Sequence, residues 1–559
     1  MASLNEVTQV LGLKNAAHLL RRTTFGPTMG QTETYSSFTP SQALETLFLD
    51  EEIPTPPLDA ATGESWVNPP TINKASEGVN SEQNTLFSYF KSWHIDVMLR
   101  SGLSVKERLT WFYHTHLPAA WTKIQSSEAL YYQNCLFRYY ALGNFKELFK
   151  KICLDNAMLK YIDGFTNHKD APNENFAREM LELYSIGKGP QLEEGNYTNY
   201  TEDDVKSATK VLTGWLFDED FVHLDKDTGI PSGKLKTITA TDGTTELATA
   251  HDASVKTFSS LFDSYSVSPA TILEGYPTAK ATMQEFDDMI EMIFGKIETA
   301  RFIMRKLYRS FVYHFISDEV ETDIIQPLAQ IFYDNDYEIR APLEVLFKSE
   351  HFYDLDNTIT ADNNIGALIK SPVDVTLGLL RFFETETPDR NIQTNAFYDD
   401  FSYIDSVLKE QGIEMYDPYD VAGFDPYHQM PGFARNWIMT YELAKRYQIG
   451  DLFMKRAGNP EDLTFSLNVL DWVENSGNIT DPSDATEIVT VLTENLLAVE
   501  LSTERFDYFL NTIFLDTLPT TTWTMEWNAY SDGGSNSVVK NRIETLVSAL
   551  VQTPEFQVY

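Results

Sequence analysis

The run SSEALYYQNCLFRYYALGNFKELFKKICLDNAMLKYI, residues 126–162, decides the fold class. Its aromatic and aliphatic residues recur three and four positions apart, which is the spacing of one face of a helix. The same spacing returns in several other stretches, at 80–160, 278–316, 322–353, 365–384, 433–455 and 484–515. The chain is therefore predicted to be mainly α, a single large multi-helix domain. The Pro- and Asp-rich stretch near 385–403 offers a soft seam within it.

Between residues 216 and 262 the composition shifts to Thr, Asp, Gly and Ser, which marks an insertion in the helical chain. Within it, KLKTITATDGTTELATA (234–250) alternates around Asp242-Gly243, a dipeptide typical of tight hairpin turns. We therefore predict a small β-hairpin excursion near 235–250, with the strand content confined to 237–247. Three further stretches, 51–78, 386–403 and 516–537, predict long loops.

Composition excludes several classes of protein. The 559 residues carry a formal net charge of -39, and 13% of them are aromatic, so the chain is a folded body with an acidic surface. That charge repels phosphate backbones and anionic membranes, and we expect no nucleic-acid partner. No run approaches about 18 uninterrupted apolar residues, which predicts no membrane insertion. The opening MASLNEVTQV carries no readable export signal.

The two cysteines, Cys135 and Cys153, lie in apolar, helix-patterned surroundings. With only these two thiols, a disulfide framework or a cysteine-ligated zinc site is excluded. We predict that both are buried, reduced and inaccessible to thiol reagents.

The residues from Tyr161 to Trp215 are the most informative for chemistry. Asn173 is a good N-cap for a helix whose apolar face alternates with a polar one. That polar face carries Asn175, Arg178, Glu179 and Glu182. It follows a polar loop that contains Asp163, Asn167 and Lys169. One interpretation is a functional site, and the other is a solvated face with contacts three and four residues apart. A second helix starts at Thr201, where Thr201 and Asp204 form a capping-box pattern.

ERLTWFYHTHLPAAW (107–121) contains two histidines, His114 and His116. Pro118 disfavours helix at Leu117, so the helix is predicted to end near His116, and in an extended end both imidazoles would face the same way. With Glu179 and Glu182 they would suit a divalent metal, Zn, Mn or Fe. The alternative is that both histidines cap a helix C-terminus.

Six motifs carry a resemblance to a known family: HLLRRTTFGPT (18–28), ERLTWFYHTHLPAAW, NENFAREMLELYSIG (173–187), YTEDDVKSATKVLTGW (200–215), HDASVKTF (251–258) and SPVDVTLGLLRFF (371–383). Together with DPYDVAGF and RNWI near 417–438, they resemble the bacterial DUF1800 family over residues 16–557. The resemblance implies a set of hallmark polar residues: Arg21, Arg22, His114, His116, Asp163, Asn167, Lys169, Asn173, Glu174, Asn175, Arg178, Glu179, Glu182, His251 and Lys256.

The resemblance implies little about activity, because the family has no established biochemical role. Its members are often exported, and they commonly occur beside DUF1501 proteins, whose fold is similar to that of sulfatases. One hypothesis is a metal- or acid/base-assisted hydrolase or transferase that acts on a sulfated or phosphorylated extracytoplasmic polymer. Its catalytic residues would be Lys169, Asn175, Arg178, Glu179, Glu182 and His251, and its metal ligands His114, His116, Glu179 and Glu182.

The alternative is a non-catalytic binding or assembly protein that works with a DUF1501-like partner. In that case Trp523, Trp527 and Tyr530 either stack on sugars or cover the edge of the core. The two hypotheses differ in geometry. The enzyme hypothesis predicts that the polar face of the helix near Asn173 turns inward and converges with His114, His116, Lys169 and His251.

Overall fold

Helices make up most of the structure, as the apolar spacing predicts. The computed structural model describes residues 2–50, 53–67, 83–357, 363–419, 423–424, 433–455 and 463–559. Its helices are α1 Gly12–Thr23, α2 Met29–Ser36, α3 Pro40–Leu47, α4 Gln83–Arg100, α5 Lys106–His116, α6 Trp121–Ile124, α7 Ser127–Tyr139, α8 Phe145–Ile152, α9 Asn156–Tyr161, α10 Asn175–Glu179, α11 Glu202–Val211, α12 Ala279–Phe294, α13 Ile297–Phe311, α14 Asp318–Val320, α15 Gln326–Asp334, α16 Arg340–Lys348, α17 Pro372–Phe382, α18 Thr394–Glu410, α19 Thr440–Phe453, α20 Val469–Asn475, α21 Ala485–Leu496, α22 Thr503–Asp507, α23 Thr520–Ser531 and α24 Ser537–Val551.

Among the described residues, three short segments are π-helical and three are 3₁₀-helical. The π segments are Met180–Tyr184, Glu321–Ile325 and Tyr508–Phe514, and the 3₁₀ segments are Gly164–Thr166, Ser260–Phe262 and Phe433–Ile438. Side chains fix many of the helix starts. The predicted capping box of α11 forms, because the Thr201 hydroxyl accepts from Asp204 N and the Asp204 carboxylate accepts from Thr201 N. An equivalent box between Ser371 and Asp374 begins α17.

The strands form small antiparallel pairs, and the predicted hairpin is one of them. They are β1 Gln191–Glu193, β2 Asn196–Tyr197, β3 Trp215–Leu216, β4 Lys234–Leu235, β5 Thr237–Thr239, β6 Glu246–Ala248, β7 Lys256–Thr257, β8 Ser266–Val267, β9 Ile272–Leu273 and β10 Tyr276–Pro277. The pair β5 and β6 confirms the hairpin, with Thr237 opposite Ala248. The expectation that strands are confined to it is wrong, because four more pairs form. Strands this short carry no alternating pattern that a sequence could display.

Two of the predicted loops contain helix. Residues 520–531 of the stretch 516–537 form α23, and α18 begins at Thr394 inside the stretch 386–403. Trp523 and Trp527 lie four residues apart on α23 and are 0% and 7% exposed, so burial of this pair outweighs the weak helix propensity of the surrounding Thr residues. Both tryptophans therefore cover the core. The third stretch, 51–78, lies partly outside the described residues.

The buried apolar side chains form one cluster that runs from Val7 to Phe556. Cys135 and Cys153 are both free and buried within it, as predicted. Burial raises the pKa of each thiol, which keeps both protonated and unreactive. In the described part of the chain, no helix has the length and apolar character needed to cross a bilayer. The soft seam near 385–403 and the insertion 216–262 as separate units stay predictions.

Candidate functional site

The polar face that the sequence singles out lies on α10 and on the π segment that continues it. The helix begins at Asn175, two residues after the predicted cap, and Asn173 Oδ1 accepts from Asn175 N at 3.1 Å. Asn175 Nδ2 donates to the carbonyl of Ile162 at 3.2 Å. Arg178 is half-buried and forms ion pairs with Glu174 at 2.9 Å and with Glu202 at 2.6 Å. These contacts join the helix to its neighbours.

The two glutamates of this face are half-buried rather than enclosed. Glu182 forms an ion pair with Lys188, and it accepts a hydrogen bond from the Tyr200 hydroxyl at 3.1 Å. Glu179 is likewise of intermediate exposure. Both carboxylates therefore belong to the surface around α11 and the β1–β2 hairpin.

The side chains of the polar loop before α10 contact neighbouring elements and the loop's own backbone. Asn167 is buried, and its amide donates to the carbonyl of Thr209 at 2.8 Å while its oxygen accepts from Asn173 N at 3.0 Å. Asp163 takes a left-handed conformation with a φ of 58°, and its carboxylate lies 3.7 Å from Lys123 Nζ. Lys169 Nζ lies 4.8 Å from the centre of the Tyr276 ring.

His251 and Lys256 both contact a buried glutamate, Glu285, which no sequence pattern indicated. His251 Nε2 lies 2.9 Å from Glu285 Oε2, and Lys256 forms an ion pair with the other oxygen of the same carboxylate. The side chains of all three are fully buried. His251 Nδ1 also lies 2.9 Å from the carbonyl of Thr213. The cluster fastens β7 and the residues before it to α12.

The side chains of His114 and His116 do not converge on one point. The prediction of an extended chain end at these two residues is wrong. α5 ends at His116, as predicted, but His116 is itself helical, so the two imidazoles project from the helix about 200° apart. His114 packs against the Tyr416 ring at 4.1 Å, and burial lowers its pKa to about 3. His116 Nε2 lies 3.2 Å from the carbonyl of Tyr184.

The residues predicted for one site therefore lie in separate contact networks. Across the ranges that the structure describes, no group of three or more His, Cys, Asp or Glu side chains could hold a metal ion. The predicted ligand set of His114, His116, Glu179 and Glu182 is accordingly not assembled. A catalytic role for Lys169, Asn175, Arg178, Glu179, Glu182 or His251 stays a prediction.

A different cluster brings three of the family-like motifs together. Arg21 and Arg22 end α1, Arg108 lies on α5, and Asp374 lies in the first turn of α17. Arg108 forms an ion pair with Asp374, and Arg108 also donates to the Tyr559 hydroxyl at 2.6 Å. That hydroxyl lies 3.1 Å from the second Asp374 oxygen. The motifs at 18–28, 107–121 and 371–383 thus meet around one carboxylate.

Two more basic side chains, Lys370 and Arg446, complete this set, which we call the basic cluster: Arg21, Arg22, Arg108, Lys370 and Arg446. Arg446 Nε donates to Gln557 Oε1 at 2.7 Å, and its NH2 group donates to the Lys370 carbonyl at 2.9 Å. Lys370 Nζ lies 4.2 Å from the centre of the Phe556 ring. Beside the basic cluster, the chain that follows α1 packs closely against α17, since a Cβ at Gly26 would lie 2.9 Å from the Gly378 Cα.

The positive charge of the basic cluster is only partly balanced. Among the described side chains, Asp374 forms an ion pair only with Arg108. Asp354 also attracts Arg22, and more strongly than Asp374 does. Within the same described set, Arg22 Nε and NH1 and Arg446 NH1 are buried with no hydrogen-bond partner. Buried donors without acceptors are rare in native proteins, and a buried charge without a counter-ion is costly.

Burial and mutual repulsion lower the pKa values in the basic cluster. Burial lowers the pKa of Arg21, Arg22 and Arg446 to about 10, which leaves all three charged at neutral pH. Burial, and then the charge of Arg21, lowers the pKa of Lys370 well below its ordinary value, while Asp374 acts in the opposite direction. A bound anion would raise the pKa of Lys370 again.

Two adjoining cavities reach the basic cluster from the surface. The larger has a volume of about 480 Å³ and runs between α1 and the chain around 493–506, with Arg21 and Tyr559 in its lining. The smaller, of about 40 Å³, is lined by Arg21, Lys370, Asp374 and Tyr559. Arg21 lines both cavities, and one of its NH groups donates to the Asn495 carbonyl at 2.6 Å.

The resemblance implies Arg21 and Arg22 as hallmark residues, but no sequence pattern places them in a site. Lys370, Asp374, Arg446 and Tyr559 were not named as site residues at all. The adjacent pair Arg21-Arg22 within an apolar helix pattern was the available signal, because two arginines beside buried residues need partners.

Comparison with known proteins agrees with the motifs. A family model described as "Protein of unknown function (DUF1800)" matches residues 18–558, and the chain belongs to that family. No curated protein and no solved structure matches the chain.

Proposed function

For this member of the DUF1800 family we propose that the protein binds an anionic ligand, with a carboxylate, sulfate or phosphate group held at Arg21 of the basic cluster. The observation that carries the proposal is the excess of buried positive charge. Four of its basic side chains, Arg22, Arg108, Lys370 and Arg446, are buried and Arg21 is half-buried. Among the described side chains, Asp374 is the one carboxylate that forms an ion pair with any of them. A chain with a net charge of -39 has many carboxylates, and this cluster has few of them.

The chemistry of these groups suits an oxyanion. A guanidinium presents its N–H donors as a planar fork that matches the oxygens of carboxylate, sulfate or phosphate, and such charge-assisted bonds are the strong ones. Arg21 is of intermediate exposure and lines the open cavity, so it can reach a ligand without rearrangement of the core. The remaining cations lie behind it and add attraction at low local dielectric.

This proposal supports the anionic part of the predicted substrate and leaves the reaction open. A hydrolase or transferase that acts on a sulfated or phosphorylated polymer would need such a site to hold the charged group. A non-catalytic binding protein would need it equally. Hydrolysis, group transfer and a DUF1501-like partner therefore remain predictions.

The test is calorimetric titration of the full chain with sulfate and with phosphate at neutral pH. We expect saturable binding that Arg21→Gln weakens at least tenfold, because one charge-assisted hydrogen bond contributes about 1.5–3 kcal/mol. Arg301→Gln is the matched control, since Arg301 forms an ion pair with Glu298 on the surface of α13. Equal binding by the wild type and Arg21→Gln would contradict the proposal.

The pH dependence gives an independent readout. Because the pKa of Lys370 is lowered in the free protein, a bound anion favours its protonated form, and binding takes up protons. We therefore expect affinity to increase as the pH falls toward neutrality from the alkaline side. Titrations in two buffers that differ in ionisation enthalpy measure the proton uptake, and Lys370→Met should abolish it.

A further inference from the structure

The larger cavity indicates what is attached to the anionic group. We infer that the ligand is amphipathic, an aliphatic carboxylate or a similar anion whose apolar body lies along α1 and whose charged head contacts Arg21. This inference rests on the proposed anion site and adds the class of molecule that carries the anion.

One wall of the cavity is a single face of α1. Leu13, Ala17 and Arg21 are spaced four residues apart and all three line the cavity. At about 1.5 Å per residue, the path from Leu13 to Arg21 is about 12 Å long. Lys14 and His18 of α1 line the cavity as well. The wall therefore combines the apolar Leu13 and Ala17 with an exposed cation, Lys14, at its outer end and a half-buried cation, Arg21, at its inner end.

The opposite wall is apolar as well. Leu497, Ala498 and Val499 follow α21, and Phe506 comes from the π-extended helix that begins with α22. A volume of about 480 Å³ lies within the range of about 300–1,000 Å³ that small-molecule sites occupy. A bare sulfate or phosphate would leave most of this apolar surface in contact with water.

Charge along the cavity favours one orientation of the ligand. Glu494 and Glu500 line the cavity at exposed positions, so water screens them but they still disfavour an anion at the exposed mouth. Lys14 lies on the same exposed part of α1. The inner end contains Arg21 and is continuous with the smaller cavity that Lys370 lines. The head therefore points inward and the apolar body points toward Leu13.

The experiment compares three probes by calorimetric titration of the full chain: acetate, octanoate and octan-1-ol. Acetate tests the anion site alone, and octanol tests the apolar wall alone. We expect octanoate to bind at least tenfold more tightly than either, because burial of even two methylene groups contributes about one power of ten in affinity.

Two kinds of variant separate the head from the body. Arg21→Gln should weaken acetate and octanoate alike. Ala17→Phe fills the wall, and Val499→Asp places a charge there at a position that is 40% exposed and safe for folding. Both should remove the advantage of octanoate and leave acetate binding within threefold of the wild type.

The outcomes distinguish the two proposals. If acetate binds through Arg21 and octanoate binds no more tightly, the amphipathic ligand is wrong and the anion site stands. If octanol binds as well as octanoate and Arg21→Gln changes neither, the cavity is only an apolar cleft. If none of the three binds, both proposals are wrong.

Discussion

Lys306 is a buried amine on α13 whose charge state depends on folding. Its Nζ donates to the Leu183 carbonyl at 3.3 Å and lies 4.9 Å from the centre of the Phe302 ring. Burial, and then the charge of Arg309, lowers its pKa to about 7. An unfolded lysine has a pKa of about 10.4. Between these values the unfolded chain binds a proton that the folded protein lacks, so stability rises with pH across this window.

We predict that Lys306→Met stabilises the protein at pH 7 by roughly 3 kcal/mol, because the variant avoids the cost of the lowered pKa and loses one hydrogen bond. The gain should shrink as the pH rises and vanish near pH 10. Urea unfolding at several pH values measures it. Lys206→Met is the control, because Lys206 is 64% exposed, and it should stay within about 0.5 kcal/mol of the wild type at every pH.

Glu285 contacts two buried groups, His251 and Lys256, and its removal should be costly. We predict that Glu285→Ala lowers the free energy of unfolding by about 3–5 kcal/mol, because Lys256 would remain buried without a counter-ion. Glu494→Ala, at an exposed position, should change it by about 0.5 kcal/mol or less. Chemical denaturation of both variants measures these changes in the free energy of unfolding. A loss below about 1 kcal/mol for Glu285→Ala would mean that the charges are solvated in the native state.

For single residues, the sequence indicated polar side chains that the fold buries or pairs, but it did not indicate their partners. His251 and Lys256 were both identified, yet Glu285 lies 34 residues after His251 on α12 and looks like any helical glutamate. Similarly, the bond from His116 to the Tyr184 carbonyl spans 68 residues. Packing brings together residues that are this far apart in sequence, and no local sequence pattern indicates such pairs.

At the element scale, the π segment Met180–Tyr184 departs from the regular helix that the sequence predicts. It widens the turn, and its carbonyls at Leu183 and Tyr184 contact Lys306 and His116. Ser185 Oγ donates to the Met180 carbonyl at 2.6 Å and so closes the widened turn. Gly187 follows with a φ of 72°, and a Cβ there would lie 2.4 Å from the Phe302 ring. Side-chain donors from other elements therefore satisfy the backbone that the π turn leaves free.

Ser185→Ala tests whether this closure stabilises the turn. We expect a loss of about 1 kcal/mol, because a buried carbonyl loses its donor. Ser36→Ala removes an equivalent bond, from Ser36 Oγ to the Glu33 carbonyl at 2.7 Å, at an exposed position, and should cost much less. Hydrogen exchange of the amides at 180–187 should increase in the first variant alone. Unchanged exchange would show that packing alone maintains the π turn.

The helices that the sequence predicted correctly are those with a long apolar stripe, such as α12 and α13. Errors occurred where the local composition contradicted the packing. The Thr- and Gly-rich stretch 516–537 predicted a loop, but Trp523 packs 4.7 Å from Phe514 and 5.6 Å from Trp527, measured between ring centres. A helix of modest propensity forms there because it buries two indoles, and propensity alone is a weak guide in that situation.

At the scale of the whole molecule, the basic cluster could not be predicted from spacing. The contact of Arg108 with Asp374 spans 266 residues, and its contact with Tyr559 spans 451. Three of the family-like motifs contain Arg21, Arg22, Arg108 and Asp374, whereas Lys370, Arg446 and Tyr559 lie outside the motifs. The predicted site drew on residues from His114 to His251, and the structure places these residues in separate contact networks.

The overall charge makes a final prediction about stability. A net charge of -39 repels itself across the surface, and NaCl screens this repulsion as the Debye length falls from about 30 Å at 0.01 M to about 8 Å at 0.15 M. The free energy of unfolding should therefore rise over that range and level off above it, since exposed ion pairs contribute too little to reverse the trend. Chloride could also act through the anion site, so the measurement includes Arg21→Gln. A salt response that persists in this variant is due to screening, whereas one that disappears is due to binding at Arg21. Stability that falls with NaCl in both proteins would mean that surface ion pairs outweigh the repulsion.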